Sequence, residues 1–355
     1  MMRGVLAKLY AWALLLATVA GICVVVAFAW ASVDRLIASA VGLAASLVLA
    51  PLVHELGHVF FAKASGMKIV YCKCFCFRYA RRQGRAHVGF ALPFSADETQ
   101  VLPCGSERME KRALSYALGG LVFGGVLLLC VLTLCVLGWV LGLGVEFYAF
   151  YAALPYVAYL FFLNAVPAVY ASGKTDAAVV KGIRGADAVE QTMLNLMRIH
   201  GGLQSGKSYA EMPEEWYFSA PQIAEDEPLF VAILEARYSY YLEIEEPEKA
   251  FDCLKRIRAA GEYLTEREVL TLERNLAYLC LMGGNDGVLK EAVKNGGEYW
   301  QSDDPAIKRT LALYMQKCGE AERADLLIEQ AKNLLKNEEI AGLKKHEEIL
   351  LARIK

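Results

Sequence analysis

The stretch LVHELGHVFFAK, Leu52 to Lys63, sets two histidines and a glutamate inside an apolar run that carries no charge from Leu36 to Val53. Ionisable groups at membrane depth are costly and tend to mark function. On a helix, positions i and i+4 share a face, so His54 and His58 can present two ring nitrogens to one metal ion. Glu55, one residue on from the first histidine, can then act as general base on a metal-bound water. The alternative is a polar cluster hydrogen-bonded within a helix bundle. The chain has only five histidines, which makes two at this spacing notable.

Working outward, the 355 residues are 56% hydrophobic with mean hydropathy +0.33, and the apolar residues crowd into the first half. That composition describes a membrane protein joined to a soluble part. Four runs approach or exceed the roughly 20 helical residues that span a bilayer core: Leu9 to Val33, Leu36 to Val53 and on through the histidine motif, Ala113 to Val145, and Phe147 to Gly173. Arg3 and Lys8 before the first run would also suit a cleaved signal peptide. Its apolar part is longer than a signal core, however, and Trp12 and Trp30 fall near its ends, where membrane interfaces favour aromatic rings. A retained helix is the preferred reading.

Cations flank these runs unevenly. Arg3 and Lys8 precede the first helix, a basic loop runs from Lys63 to Arg112, and many more cations follow Lys174, whereas the other connections carry only Arg35. The positive-inside bias then places both termini and the long loop in the cytoplasm of a multi-pass protein of the cell membrane. Ten cysteines fit a reduced compartment on this topology. The alternation in Tyr71-Cys72-Lys73-Cys74-Phe75-Cys76 describes a strand better than a zinc site, which usually has a two-residue gap between cysteines.

A catalytic zinc needs a third protein ligand and an open position. The candidate lies after the fourth helix, in FLNAVPAVYASGKTDAAVV, Phe162 to Val180. With this segment added, the chain resembles the site-2 protease family of intramembrane zinc metalloproteases. The residues that carry the resemblance are His54-Glu55-Leu56-Gly57-His58 in a membrane helix, Leu118-Gly119-Gly120-Leu121-Val122-Phe123-Gly124 in the third, and Asn164-Ala165-Val166-Pro167 followed by Asp176. It covers residues 36–180. It implies His54, His58 and Asp176 as Zn2+ ligands, Glu55 as catalytic base, and Asn164 as a group that holds the substrate backbone or the developing oxyanion. Ala177 stands where the family commonly has Gly after this Asp. Asp97 and His87 in the basic loop compete for the third ligand.

Within that loop, Met67 to Phe77 and Ala86 to Phe94 suggest two strands about the turn-like Arg81-Arg82-Gln83-Gly84-Arg85. An open strand edge can bind an extended peptide; a hairpin packed at the membrane surface with its arginines on anionic lipid is the alternative. Gly119, Gly120, Gly124 and Gly125 suit close helix packing.

Beyond Asp176, Ala177 to Ile199 has the pattern of an amphipathic helix leading into Gly201-Gly202-Leu203-Gln204-Ser205-Gly206. YLEIEEPEKAF, YLCLMGGNDGV and YMQKCGEAERA start at Tyr241, Tyr278 and Tyr314, a recurrence close to the period of tetratricopeptide-like helical repeats; a generic helical bundle is the alternative.

The expected fold is an all-α membrane protein with four transmembrane helices, a small cytoplasmic β-hairpin and a soluble α-helical repeat domain. The expected division is 1–35 as N-terminal transmembrane helix, 36–180 as zinc protease core, 181–208 as amphipathic linker, and 209–355 as cytosolic helical domain. The expected partners are a membrane-anchored protein substrate and, on the repeats, a cytosolic regulator or substrate segment. No basic stripe there suggests nucleic acid. Two rivals remain from other classes. One is an inactive membrane scaffold that recruits partners through its repeats. The other, a zinc carrier, would need more intramembrane carboxylates and histidines.

Overall fold

The computed structural model describes residues 2, 4–82, 85–92, 98–170, 173–283, 294 and 296–354. The chain divides into two compact units, residues 1–102 with 108–190, and residues 103–107 with 191–355.

The first unit holds four helices long and apolar enough to cross a membrane: α1 (Val5–Ala29), α2 (Val33–Ala64), α3 (Met109–Val140) and α4 (Tyr148–Ala165), the last preceded by a short turn, Val145–Phe147. Leu9, Trp12, Leu16 and Phe28 of α1 and Leu129 and Trp139 of α3 are exposed. Such apolar surface suits lipid and would be a liability in water. α2 packs on both α3 and α4, around Ala50, Val131, Cys135 and Val157. Glycine makes the α2 to α3 crossing possible, because a Cβ on Gly57 would lie 2.2 Å from the Gly119 carbonyl oxygen. Close backbone approach of this kind is what small residues allow in membranes.

Between α2 and α3 the loop forms a four-stranded sheet in the order β3-β2-β1-β4, where a two-stranded hairpin was expected. The strands are β1 (Met67–Cys74), β2 (Phe77–Arg82), β3 (Arg85–Phe90) and β4 (Glu98–Pro103). The run from Met67 to Phe77 does not continue as one strand. Phe75, at φ 51°, reverses the chain and pairs Cys74 with Phe77 in antiparallel register. Phe at positive φ is uncommon, and no Gly or Asn marks the turn in the sequence. Cys72 and Cys74 therefore lie on β1, with Cys76 in the turn.

After α4 come two short paired strands, β5 (Val169–Tyr170) and β6 (Gly173–Lys174), then α5 (Asp176–Arg184) and α6 (Ala188–Gln204). The single amphipathic helix expected over this segment is two helices. α5 ends at Gly185, and Ala186 at φ 53° turns the chain before α6.

The second unit is helical. α7 (Glu215–Phe218) precedes α8 (Leu229–Glu243), α9 (Pro247–Ala259), α10 (Glu266–Met282), α11 (Pro305–Lys317), α12 (Ala321–Leu335) and α13 (Ala341–Ala352). Two of the three aligned segments form helix-turn-helix pairs. Tyr241 closes α8 before Pro247 starts α9, and Tyr314 closes α11 before α12. Proline suits that first helical position because its missing N–H would be unpaired there anyway. The segment from Tyr278 runs on from α10 into residues 284–293, outside the described residues. One core gathers Leu196, Ile199, Leu203, Met212, Tyr217 and Ile233, and another Ala312, Ala331, Leu335 and Leu351.

Candidate metal centre

The helical i, i+4 spacing stacks His54 and His58 on one face of α2, both buried, with Nε2 atoms 3.3 Å apart. Asp176, the first residue of α5, completes the group. Its Oδ2 lies 3.2 Å from His54 Nε2 and its Oδ1 3.4 Å from His58 Nε2. Ligands held about 2.0–2.1 Å from a tetrahedral ion stand about 3.3–3.4 Å from one another. Two of these distances run to different oxygens of the carboxylate, so the side chains approach this spacing, and one ligand atom from each lies within 4.8 Å of the others. They could hold a metal ion, and among the described residues no other set of three or more His, Cys, Asp or Glu side chains is so grouped. Three protein ligands leave a fourth position for water or substrate.

His58 carries its own evidence of polarity. Its Nδ1 lies 2.9 Å from the Tyr116 carbonyl of α3, a bond in which the ring N–H donates. A neutral His58 then turns a lone pair toward Asp176 and His54. That arrangement is attractive only with a cation between the groups, and the outward N–H bond is the usual second contact of a metal-bound imidazole. Burial works to raise the pKa of Asp176, but the two facing imidazoles, when protonated, outweigh it and hold the carboxyl at about 2. The group is anionic, as a ligand must be.

The neighbouring helix is shaped to this pair. A Cβ on Gly120 would lie 2.5 Å from both His54 Cε1 and His58 Nε2, so α3 can cover the rings only with glycine there. Asp176 owes its place to Thr175, the N-cap of α5. The Thr175 hydroxyl donates to the Val166 carbonyl at 2.8 Å and accepts from the backbone N–H of Ala168 at 3.1 Å and of Ala178 at 3.3 Å. One side chain thereby ties the segment after α4 to the start of α5, which explains why Asn164 to Pro167 and Asp176 belong together although eight residues separate Pro167 from the ligand.

Glu55 is buried on α2, and its Oε2 accepts from the Thr99 hydroxyl of β4 at 2.5 Å. Tyr116 in turn donates its hydroxyl to the Thr99 carbonyl, and the Cys72 sulfur lies 3.6 Å from the Thr99 hydroxyl. Asn164 donates to the Leu160 carbonyl one turn back in its own helix, at 3.1 Å. Of the two competing ligands, His87 is exposed on β3 and stands apart from the cluster, and Asp97 lies outside the described residues. Sequence reasoning missed Thr99, Tyr116 and Thr175. Thr175 had a legible signal, a threonine directly before an acidic first turn. Thr99 and Tyr116 had none, because only the tertiary fold brings them to Glu55.

Comparison with protein-family models, with curated proteins and with solved structures returns no match for this chain.

Proposed function

We propose that the chain is an intramembrane zinc metalloendopeptidase that hydrolyses membrane-anchored proteins near the cytoplasmic face. The observation that carries this reading is the convergence of His54, His58 and the two carboxylate oxygens of Asp176 at 3.2–3.4 Å, with a buried carboxylate one residue from the first histidine on a helix of membrane length. Two imidazoles and a carboxylate with an open fourth position are the donor set of hydrolytic zinc sites.

Bound there, zinc supplies a Lewis acid for the scissile carbonyl and lowers the pKa of a coordinated water. Glu55 takes the proton of the attacking water as its oxygen joins the carbonyl carbon, then returns a proton to the amide nitrogen as the C–N bond breaks. Asn164, by its family role, holds the substrate backbone or the developing oxyanion. A substrate helix hides its carbonyls in intrahelical bonds and must unwind to be cut. The sheet has β3 and β4 at its edges, either of which can hold an unwound peptide as an added strand. The Lys and Arg of the loop, with Arg3 and Lys8 before α1, support cytoplasmic placement of both termini. The helical unit then serves as the docking place for a cytosolic substrate segment or regulator.

The test is Glu55→Gln in the full chain with a co-expressed membrane-anchored substrate. Retained metal with cleavage slowed by about 10²–10⁴ supports the protease. Unchanged processing, or processing by neither form, leaves the scaffold as the better description.

A further inference from the structure

β4 is an edge strand that buries only Thr99 and Pro103 completely, and Thr99 is 6% exposed. A threonine hydroxyl buried there could have satisfied itself on a backbone carbonyl of its own strand. Instead it donates to Glu55 Oε2 at 2.5 Å, across 44 positions of sequence. Its backbone is anchored as well, since the Tyr116 hydroxyl donates to the Thr99 carbonyl. The same Tyr116 accepts, through its own carbonyl, the Nδ1–H of His58 at 2.9 Å. One residue of α3 therefore touches both the metal-ligand side and the base side of the site.

We infer that Thr99 is the positioning residue of Glu55: its hydroxyl occupies Oε2, fixes the plane of the carboxylate, and leaves Oε1 as the oxygen that accepts the proton of the attacking water. The inference rests on the hydrolytic reading of the site. A carboxylate on a flexible two-carbon stem samples several rotamers, and a base out of place by about 1 Å can cost about 10²-fold in rate. A short bond to a buried hydroxyl removes that freedom without consuming the second oxygen. Tyr116 sets Thr99 from behind, so the chain Tyr116, Thr99, Glu55 carries the position of α3 to the base through side chains.

The experiment compares the purified full chain with Thr99→Val, which keeps the shape and removes the hydroxyl, Thr99→Ser, which keeps the hydroxyl, Tyr116→Phe and Glu55→Gln. Each protein is loaded with Co2+ and its visible absorption is recorded without substrate; cleavage of a membrane-anchored substrate is measured separately on the zinc form. The expected result is about one metal per chain throughout, with the Co2+ bands of Thr99→Val displaced from wild type toward those of Glu55→Gln and those of Thr99→Ser unmoved. With substrate, kcat should fall by about 10- to 100-fold in Thr99→Val with KM little changed, and recover in Thr99→Ser, the usual scale for a group that orients a metal site from outside it.

Wild-type bands and kcat in Thr99→Val would overturn the inference and leave the protease standing. The expected bands together with no cleavage by wild type would keep Thr99 as the orienting group and remove the protease. Should Thr99→Val lose its metal, Tyr116→Phe decides: it retains the Thr99 hydroxyl but frees its backbone, and wild-type bands in that variant would also overturn the inference.

Discussion

Each unit of the molecule buries a histidine against a carboxylate, and the two are built to different plans. In the helical unit His346 Nδ1 meets Glu243 Oε1 at 2.6 Å, and Glu243 also accepts from the backbone N–H of Tyr209 at 3.1 Å and of Ala210 at 2.7 Å. Beside it Arg309 donates through Nε to Glu347 at 2.7 Å and lies over the Tyr278 ring at 4.0 Å. Donors and acceptors mostly pair off, which offsets their desolvation, although Arg309 Nη1 finds no partner. In the membrane unit two ring nitrogens and the two oxygens of one carboxylate meet at 3.2–3.4 Å, with one histidine spending its N–H outward on a carbonyl. Pairing marks a structural network. Convergence of lone pairs marks a place for a cation.

That contrast is broken most directly by metal content. His58→Ala and Asp176→Ala should each take the bound metal from about one per chain to near zero, whereas His346→Ala, a substitution of the same kind in the other cluster, should leave it unchanged. Metal loss in His346→Ala, or retention in His58→Ala, would erase the distinction. The next effect is on stability and falls on the other unit. Arg309 is 3% exposed, and removing one partner of a buried pair costs about 3–5 kcal/mol because the other charge is stranded. Arg309→Ala should therefore lower the unfolding midpoint of the helical unit sharply, read by circular dichroism in denaturant, with metal content in the membrane unit untouched. A smaller effect sharpens the geometry of the metal centre. Gly120→Ala inserts a methyl 2.5 Å from His54 Cε1 and His58 Nε2, and should weaken metal affinity by at least about tenfold by displacing the rings. The same change at Gly261, where a Cβ meets nothing within 4 Å, should have no effect on metal affinity.

The sequence exposed the parts of this site that obey a local period. His54, Glu55 and His58 are legible because helix geometry alone puts i and i+4 together, and the four apolar helices because lipid leaves a compositional record. Asp176 was legible only through its resemblance to a family, and its partner in that pattern, the Asn164 to Pro167 segment, acquires a physical reason only with the Thr175 bonds that link the two. The loop was half legible. Alternation marked strands, but the reversal at Phe75 runs against residue preference, so a four-stranded sheet read as a hairpin. Thr99 carries no signal at all, since nothing about a single threonine in a polar loop shows that it faces a glutamate 44 positions earlier.

The difference between paired and convergent carboxylates also predicts a pH dependence in the helical unit. Burial by itself would raise the pKa of Glu243, but the bond from His346 and the N–H of Ala210 more than offset it, and the folded value lies below the ordinary one. Glu347 is shifted the same way, with burial opposed by the charge of Arg309. A carboxyl whose folded pKa is depressed binds fewer protons in the native state than in the unfolded state. Its contribution to stability is complete above the unfolded pKa of about 4.3 and is lost as the pH falls through the folded value. These two carboxyls should therefore leave the unfolding midpoint unchanged from neutral pH down to about 5 and cost the helical unit stability progressively below about 4, while His200, whose pKa burial depresses, adds a loss as the pH falls through the ordinary imidazole range. In Glu243→Gln the protein should be weaker at neutral pH and its acid slope shallower, because the variant has no proton to take up at that position. An equal slope in both proteins would mean that the contacts to Glu243 do not depress its folded pKa, and would remove the paired half of the comparison with His58 and Asp176.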